Sequence, residues 1–380
     1  MKTVLFEIGK IIQGALAGDH QMVVAYAMQL SDKLESEGEV NQAKKIRKLI
    51  TSGHAGTVEL ALLGSRQPAG DNIPSDLESH LPTADCESLS SGQVELFLEP
   101  EAQAVVDGFL RYFRASDQLR EKGVGITPSM LIYGPPGSGK THTAKWIASQ
   151  VGLPLITARA DGLISSYLGS TAKNIRHLFD YAMANPCVLF LDEFDAVAKM
   201  RDDSRELGEL KRVVISLLQN IDTMPKDHML LAATNHEHLL DKAIWRRFGY
   251  RLHLSDPNPE TRRKMIASFL GAYSSEDVVD VLLAITDGVT GATIRHICDE
   301  CIRSAILENR PDVCLSDAVN VSLAHHPRVP TGHTLSFPDQ AKMLRRLNAK
   351  SFTQVRLARI FGVSQPQMSR WLKEAGHAAG

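Results

Sequence analysis

The sequence predicts an α/β fold built on a parallel sheet, with small all-α modules at both ends of the chain. Three short apolar runs, at residues 130–133, 188–191 and 229–234, have the composition of buried strands, and helical patterns separate them. Strands that alternate with helices form parallel sheets, whose ligand sites lie at the carboxyl edge. The polar residues that follow the three runs are therefore the first candidates for a functional site.

The composition is typical of a globular protein and excludes a disordered chain. Of 380 residues, 43% are hydrophobic and 23% are charged, and 42 Lys plus Arg nearly balance 44 Asp plus Glu. No stretch approaches the roughly 20 apolar residues that span a bilayer. Glu7 and Lys10 interrupt the apolar start, which argues against a secretory signal. Five cysteines favour a reducing cytoplasm, and the lone C-x-x-C pair at Cys298 and Cys301 falls short of a zinc site.

Charge is unevenly distributed along the chain. Residues 68–101 contain eight acids, four prolines and five serines but no Lys or Arg, which is typical of an extended, mobile linker. Residues 328–380 contain nine basic residues and two acids, a net charge of +7. These shifts divide the chain into a helical N-terminal module (1–55), an acidic linker (56–94), a large α/β domain (95–255), a second helical domain (256–330) and a basic C-terminal module (331–380).

The N-terminal module has helical periodicity. Val23, Ala27, Leu30 and Leu34 recur at the spacing of one helix face. A small module on a flexible tether suits the docking of a partner protein, and a simple packing appendage is the alternative.

The strongest motif is a phosphate-binding loop directly after the first apolar run. Gly134, Gly139, Lys140 and Thr141 fit the pattern G-x-x-x-x-G-K-[ST]. Glycines let backbone N–H groups close around phosphate oxygens, the lysine adds positive charge, and the threonine hydroxyl can ligate Mg²⁺. The next helix points its positive N-terminal end at the same phosphates. The residues assigned to phosphate binding are Gly134, Pro135, Pro136, Gly137, Ser138, Gly139, Lys140, Thr141 and His142.

Polar residues after the other two runs complete a hydrolytic set. Asp192 and Glu193 follow the second run, and Asn235 follows the third. We expect Asp192 to support Mg²⁺ together with Thr141, and Glu193 to act as the general base that polarises an attacking water. Asn235 is placed to orient the same water. In P-loop ATPases an acid pair at this position divides the work in this way.

Together these residues resemble the AAA family of P-loop ATPases over roughly residues 95–324. Five motifs occur in the expected order: GPPGSGKT, SSYLGST, VLFLDEFDA, LLAATNH and DKAIWRRF. The resemblance implies ATP- and Mg²⁺-dependent hydrolysis by a homo-oligomer, with a hexameric ring as the expected assembly. It also implies that residues 256–330 form the helical lid. The paired arginines are similar to those of the katanin and spastin branch.

The resemblance assigns further residues around the nucleotide. Arg246 and Arg247 match the arginine fingers that reach the nucleotide of a neighbouring subunit, and a surface ion pair is the alternative. Gly125 matches the region that borders the adenine. Gly291 and Ala292 match the part of the lid near the adenosine, and no arginine stands at that position.

Tyr167, Leu168 and Gly169 resemble the aromatic-apolar-glycine tip with which protein-threading AAA machines grip an extended client. A large ring gains apolar contact with almost any side chain. Flanking serines and threonines favour an exposed pore loop over a core aromatic at the start of a helix.

Residues 351–376 resemble the helix-turn-helix domains of bacterial repressors and transposition proteins. Gly362 permits the turn, and Leu357 and Met368 are placed to face inward. Side chains of the types that contact duplex DNA face outward: Gln365, Gln367, Ser369, Arg370 and Lys373. Docking of a protein and a plain structural role stay open as alternatives, because this fold serves all three purposes.

These observations favour a cytoplasmic AAA ATPase ring that remodels or threads a protein client selected by residues 1–55. One alternative is a DNA-associated ATPase, a helper in transposition, regulation or defence, tethered through residues 351–376. Another is a nucleotide-gated scaffold that controls a partner enzyme. The threading function depends on Tyr167, and DNA-directed action depends on the basic module. A scaffold depends only on whether ATP is bound.

Overall fold

The computed structural model describes residues 27, 30, 31, 33, 34, 73–76, 82–124, 128–159, 163, 168–195, 216–224, 228–329 and 335–373. The chain divides into two compact units, residues 1–67 and 68–380. In the first unit the five described positions are helical, and the rest of the predicted N-terminal module lies outside the described residues. The fold described below is that of the second unit.

A six-stranded sheet forms the centre of this unit. Its strands are β1 (Ala84–Glu87), β2 (Ser129–Tyr133), β3 (Leu155–Ala158), β4 (Val188–Leu191), β5 (Met229–Thr234) and β6 (Tyr250–His253), in the order β1-β3-β4-β5-β2-β6. All neighbouring strands run parallel except β1 and β3, which run antiparallel. The predicted α/β fold with a mainly parallel sheet is therefore confirmed.

Helices cover both faces of the sheet. The helices of the large domain are α1 (Pro100–Arg114), α2 (Ser116–Glu121), α3 (Lys140–Val151), α4 (Leu168–Ala184) and α5 (Lys242–Trp245), and residues 216–223 are also helical. Leu230 and Leu231 are adjacent in β5 and belong to two different apolar clusters, because successive side chains of a strand point to opposite faces. Phe179 of α4 lies in the first cluster, and Ile147 of α3 lies in the second.

Seven further α-helices follow the sheet within residues 259–329 and 335–373. The lid contains α6 (Pro259–Leu270), α7 (Glu276–Ile285), α8 (Gly291–Leu307) and α9 (Leu315–His325), and the C-terminal module contains α10 (Phe337–Leu347), α11 (Gln354–Ile360) and α12 (Gln365–Lys373). One continuous apolar cluster extends from Ile266 in the lid to Met368 in α12. The predicted boundary at residue 330 thus separates two segments that share a core.

Part of the acidic segment is folded, although its composition predicts an extended linker. Within the linker predicted for residues 56–94, Ala84–Glu87 form an edge strand. Glu87 pairs with Lys145 at 2.7 Å, and Asp85 pairs with Arg159 at 3.5 Å. The prediction of an extended tether is corrected at this strand, because these acids face basic groups of the large domain rather than only solvent.

Two exclusions hold for the described part of the chain. None of its helices is long and apolar enough to cross a membrane, and no group of three His, Cys, Asp or Glu side chains in it forms a metal site. Cys298 and Cys301 are both buried in α8, and burial raises the pKa of each thiol to about 12. Both thiols are therefore protonated at neutral pH and act as core side chains.

Candidate nucleotide site

The three strands that carry the predicted site residues end at one edge of the sheet. Tyr133 of β2 aligns with Thr234 of β5, and Leu191 of β4 aligns with Ala232 of β5. The phosphate loop, the acid pair and Asn235 therefore begin side by side. The sheet thus brings together three segments that are up to 100 residues apart in the sequence, as the alternation of strands and helices predicts.

The phosphate loop is built on glycines in left-handed backbone conformations. Gly134 has a φ of +148°, and a Cβ atom there would lie 2.0 Å from the carbonyl oxygen of Leu254. Gly137 has a φ of +79°, and a Cβ atom there would lie 2.9 Å from the Thr290 hydroxyl. A side chain at Gly134 would clash with the Leu254 backbone, and at Gly137 it would crowd the Thr290 side chain. Both positions also have backbone conformations that favour glycine.

Lys140 lies buried beneath this loop. Its Nζ donates hydrogen bonds to the carbonyl oxygens of Gly134 at 2.9 Å and Pro135 at 2.8 Å. Burial lowers the pKa of the Lys140 ammonium. Three neighbouring carboxylates oppose this shift of the pKa: Asp192, Asp195 and Glu237. The site therefore contains a positive charge held close to the loop that would surround a phosphate.

Thr141 and Asp192 face each other across the site. The Thr141 hydroxyl donates to Asp192 Oδ2 at 2.7 Å, and the Glu193 N–H donates to Asp192 Oδ1 at 2.9 Å. Glu193 has a φ of +48°, which is uncommon for a residue other than glycine, and its side chain is exposed at the edge of the sheet. The Thr141 hydroxyl and the Asp192 carboxylate thus lie together, next to the exposed Glu193.

Two buried polar atoms of the site have no hydrogen-bond partner in the described part of the chain. Ser138 Oγ and Asn235 Oδ1 are buried, and neither makes a hydrogen bond among the described residues. An unsatisfied buried polar group costs about 1–3 kcal/mol, so native structures nearly always supply a partner. Both atoms lie in segments predicted to contact phosphate or its attacking water. The residues present therefore fit a bound nucleotide.

Thr234 positions the end of β5 through a contact that the sequence did not reveal. Its buried hydroxyl donates to Asp195 Oδ1 at 3.0 Å and accepts a hydrogen bond from the His236 N–H at 3.0 Å. These bonds fix the residues on both sides of Asn235. The only sequence signal was the position of Asp195 three residues after Asp192, in the same motif.

Replacing Thr234 with Val should impair catalysis more than nucleotide binding. The change keeps the shape of the side chain but removes the hydroxyl between Asp195 and His236. A displacement of Asn235 on the order of 1 Å would lower kcat by about 10- to 100-fold. ATP affinity should change little, because the phosphate loop is untouched. Thr234→Ser restores the hydroxyl and serves as the matched control, and an unchanged kcat in the Val variant would contradict the positioning role.

The two predicted arginine fingers have different environments. Arg247 forms a bidentate ion pair with Asp222 at 2.8 and 2.9 Å and also donates to the Ala243 carbonyl oxygen at 2.8 Å. Arg246 is exposed and forms no ion pair with any described residue. The Arg247 guanidinium is thus committed within its own chain, whereas that of Arg246 faces solvent.

The lid contacts the phosphate loop directly. The Ala292 N–H, in the first turn of α8, donates to the Gly137 carbonyl oxygen at 3.1 Å. A Cβ atom on Gly291 would lie 2.9 Å from the Met265 methyl carbon, so α6 and α8 approach each other closely at this glycine. These two lid residues meet the loop where the sequence places them near the nucleotide.

The remaining predicted site residues are distributed as follows. Pro136 is exposed in the loop, and His142 Nε2 lies 2.7 Å from the carbonyl oxygen of Glu95. Gly125 and Tyr167 lie outside the described residues. Leu168 and Gly169 are the first two residues of α4.

Helix α12 presents most of the residues predicted to face DNA. Gln365, Gln367, Arg370 and Lys373 are exposed. Ser369 is half-buried, which corrects its assignment to the outer face. On a helix this position borders the face that buries Met368, so its short side chain is partly covered.

Comparisons with known proteins place this geometry in a family. The model of the family described as "ATPase family associated with various cellular activities (AAA)" matches residues 130–256. An uncharacterized AAA family ATPase, y4kL, of Sinorhizobium fredii is 36% identical over 320 residues, which cover 80% of this chain and 91% of that protein. Proteasome-activating nucleotidase 1 of Haloferax volcanii is 32% identical over 232 residues, which cover 59% of this chain and 57% of that protein.

A solved structure has the same fold. The FIGL-1 AAA domain in complex with ADP is 25% identical, with a TM-score of 0.52, over 64% of this chain and 88% of that chain. The match to y4kL covers almost its full length, and the fold and the site geometry agree with it. The chain therefore belongs to the AAA family of ATPases.

Proposed function

We propose that this ATPase depends on Mg²⁺ and acts as a homo-oligomer, expected to be a hexameric ring, that remodels or threads a protein client. The observation that supports an oligomer is the exposed Arg246, which forms no ion pair with a described residue, beside an Arg247 that is held within its own chain. An exposed guanidinium without an acidic partner is available to a phosphate of a neighbouring subunit.

The phosphate loop and the acid pair would hold the nucleotide and its metal. Thr141 Oγ1 and Asp192 Oδ2 already face each other at 2.7 Å, and both are oxygen ligands of the kind that Mg²⁺ prefers. When bound, Mg²⁺ neutralises the charge of the phosphates. Lys140 can exchange its hydrogen bonds to the Gly134 and Pro135 carbonyls for bonds to phosphate oxygens, because it lies directly beneath the loop.

Glu193 and Asn235 would direct the attacking water. The exposed Glu193 carboxylate accepts the proton that the water loses as its oxygen attacks the γ-phosphorus. Asn235 Oδ1 has no partner among the described protein atoms and can accept the second hydrogen of that water. Arg246 of a neighbouring subunit stabilises the charge that develops on the phosphate. Hydrolysis is thus completed at the boundary between two subunits.

Support for a protein client comes from the relatives and from one motif. The proteasome-activating nucleotidases are named for action on a proteolytic machine. The motif Tyr167-Leu168-Gly169 resembles the client-gripping tip of protein-threading members of the family. In this proposal residues 1–55 select the client and Tyr167 pulls it.

Replacing Tyr167 with Ala should uncouple hydrolysis from client unfolding. Loss of the ring removes apolar contact with the client, so the unfolding of a tagged fluorescent protein should fall about tenfold or more. ATP hydrolysis should stay within about twofold, because the nucleotide site is unchanged. Tyr167→Phe keeps the ring and is the matched control. Equal unfolding by the wild-type and Ala proteins would reject threading through this residue.

A second candidate function is action on duplex DNA. Five basic side chains of the C-terminal module are exposed and make no ion pair with described residues: Arg345, Arg346, Lys350, Arg370 and Lys373. Cations without acidic partners are available to phosphates of nucleic acid, and the exposed Gln365 and Gln367 can hydrogen-bond base edges. This surface supports a DNA-associated ATPase.

A further inference from the structure

The C-terminal module is built into the lid rather than attached beside it. Phe352, Leu357 and Met368 are fully buried, and they belong to the same apolar cluster as Leu282 and Ile294 of the lid. Separating the two segments would expose this shared core to water, at about 25 cal/mol for each Å² of apolar surface. The lid and helices α10–α12 therefore move as one body.

An ion pair also joins the C-terminal module to the lid. Arg359 of α11 contacts Asp277 of α7. Because both side chains are more than half exposed, the pair contributes little to stability. It adds a polar contact between α11 and α7 to the apolar core that the two segments share. The amide of Gln354 donates to the Gln365 carbonyl oxygen at 2.9 Å and fixes the start of α12 against α11.

The same body touches the nucleotide site at its other end. The hydrogen bond from the Ala292 N–H to the Gly137 carbonyl oxygen joins α8 to the loop that would surround the phosphates. The Thr290 hydroxyl also lies against Gly137. A change in this loop on nucleotide binding can therefore reach the first turn of α8, and the core that the lid shares with helices α10–α12 can carry it to α12.

We propose that the exposed face of α12 binds duplex DNA and that the lid sets the position of this face according to the bound nucleotide. ATP thereby controls how many subunits bind one duplex at once. This inference rests on the DNA-associated function above. A rigid movement of α12 leaves the contacts of one subunit with DNA unchanged. It alters the spacing between α12 faces in the oligomer, and simultaneous binding depends steeply on such spacing.

The test compares short and long DNA. One helix-turn-helix unit occupies about one turn of DNA, ~10 base pairs. A duplex of about 15 base pairs therefore engages a single subunit, and one of about 60 base pairs can engage several. Binding of each labelled duplex to the full-length protein is measured by fluorescence anisotropy with ADP, and with ATP in the Glu193→Gln protein, at about 150 mM salt. Glu193→Gln with ADP controls for the substitution itself.

We expect affinity for the long duplex to differ by about tenfold or more between the ATP and ADP states, and affinity for the short duplex by less than about twofold. The double variant Arg370→Ala/Lys373→Ala should weaken binding of both duplexes. The matched control is Lys264→Ala/Arg303→Ala, which removes two lid cations that are already paired with Glu260 and Glu300.

The contrary outcomes separate the inference from the function on which it rests. If both duplexes bind and neither responds to nucleotide, the coupling is wrong and DNA binding stands. If neither duplex binds, or if the Arg370/Lys373 variant binds as tightly as the control variant, the DNA surface itself is wrong. ATP hydrolysis measured on the same wild-type sample shows that the protein is active in either case.

Discussion

Replacing Glu193 with Gln should lower kcat for ATP hydrolysis by about 10²- to 10⁴-fold while ATP remains bound. The amide has nearly the same shape as the carboxylate but cannot accept the proton that the attacking water loses. Neither the phosphate loop nor the contact between Thr141 and Asp192 is altered, so affinity for ATP should stay close to that of the wild type. Single-turnover hydrolysis and equilibrium binding of ATP separate the two effects.

Lys140→Ala is the contrasting variant for this measurement. It removes the buried ammonium beneath the phosphate loop and should abolish ATP binding itself. Glu193→Gln should therefore retain radiolabelled ATP through gel filtration, whereas Lys140→Ala should not. Hydrolysis by the Gln variant at more than about a tenth of the wild-type rate would show that another group accepts the proton.

Replacing Arg246 with Ala should lower kcat by about 10³-fold with little change in ATP affinity, since arginine fingers act on the transition state. Its effect should appear only in the oligomer if, as proposed, the exposed Arg246 side chain contacts the phosphate of a neighbouring subunit. Steady-state ATPase rates over a range of protein concentrations check this expectation. If Arg246→Ala lowers the ATPase rate equally at concentrations at which the protein is monomeric, Arg246 acts in the site of its own subunit.

Arg247→Ala provides the comparison for Arg246→Ala. This change breaks the bidentate ion pair with Asp222 and the bond to the Ala243 carbonyl oxygen. We expect a lower thermal midpoint, because the turn that carries both arginines loses its anchor. Arg246→Ala should leave the thermal midpoint unchanged, since its side chain makes no ion pair in the described part of the chain.

Local patterns predicted the core of the site because its residues lie close together in the sequence. The glycines, Lys140 and Thr141 occupy one loop and the first turn of one helix. Their spacing is imposed by the geometry of a phosphate, so it is visible in the sequence without any tertiary structure. The alternation of strands and helices then predicted that this loop, Asp192 and Asn235 would meet at one edge of the sheet.

Contacts between segments that are distant in the sequence could not be predicted from local patterns. Arg247 pairs with Asp222, 25 residues away, and Thr234 pairs with Asp195, 39 residues away. Nothing in their local patterns distinguishes these acids from solvated ones. The acids of β1 were assigned to a linker for the same reason, because composition reports charge but not whether a basic side chain lies opposite.

The shared core of the lid and the C-terminal module shows a related limit. Leu357 and Met368 were placed correctly on the inner faces of α11 and α12 by their helical spacing. Periodicity identifies which face is buried but does not identify the element that covers it. The continuity of this core with Leu282 and Ile294 follows only from the tertiary structure.

The most direct test of a site shared between subunits is to mix two inactive proteins. Lys140→Ala lacks a working nucleotide site but keeps Arg246, and Arg246→Ala has the reverse defect. In a random equal mixture, about a quarter of the subunit boundaries would combine an intact site with an intact arginine. We predict that ATP hydrolysis reappears on mixing and approaches about this fraction of the wild-type rate. If the mixture stays as inactive as its two components under conditions in which they exchange subunits, the proposed shared site is wrong.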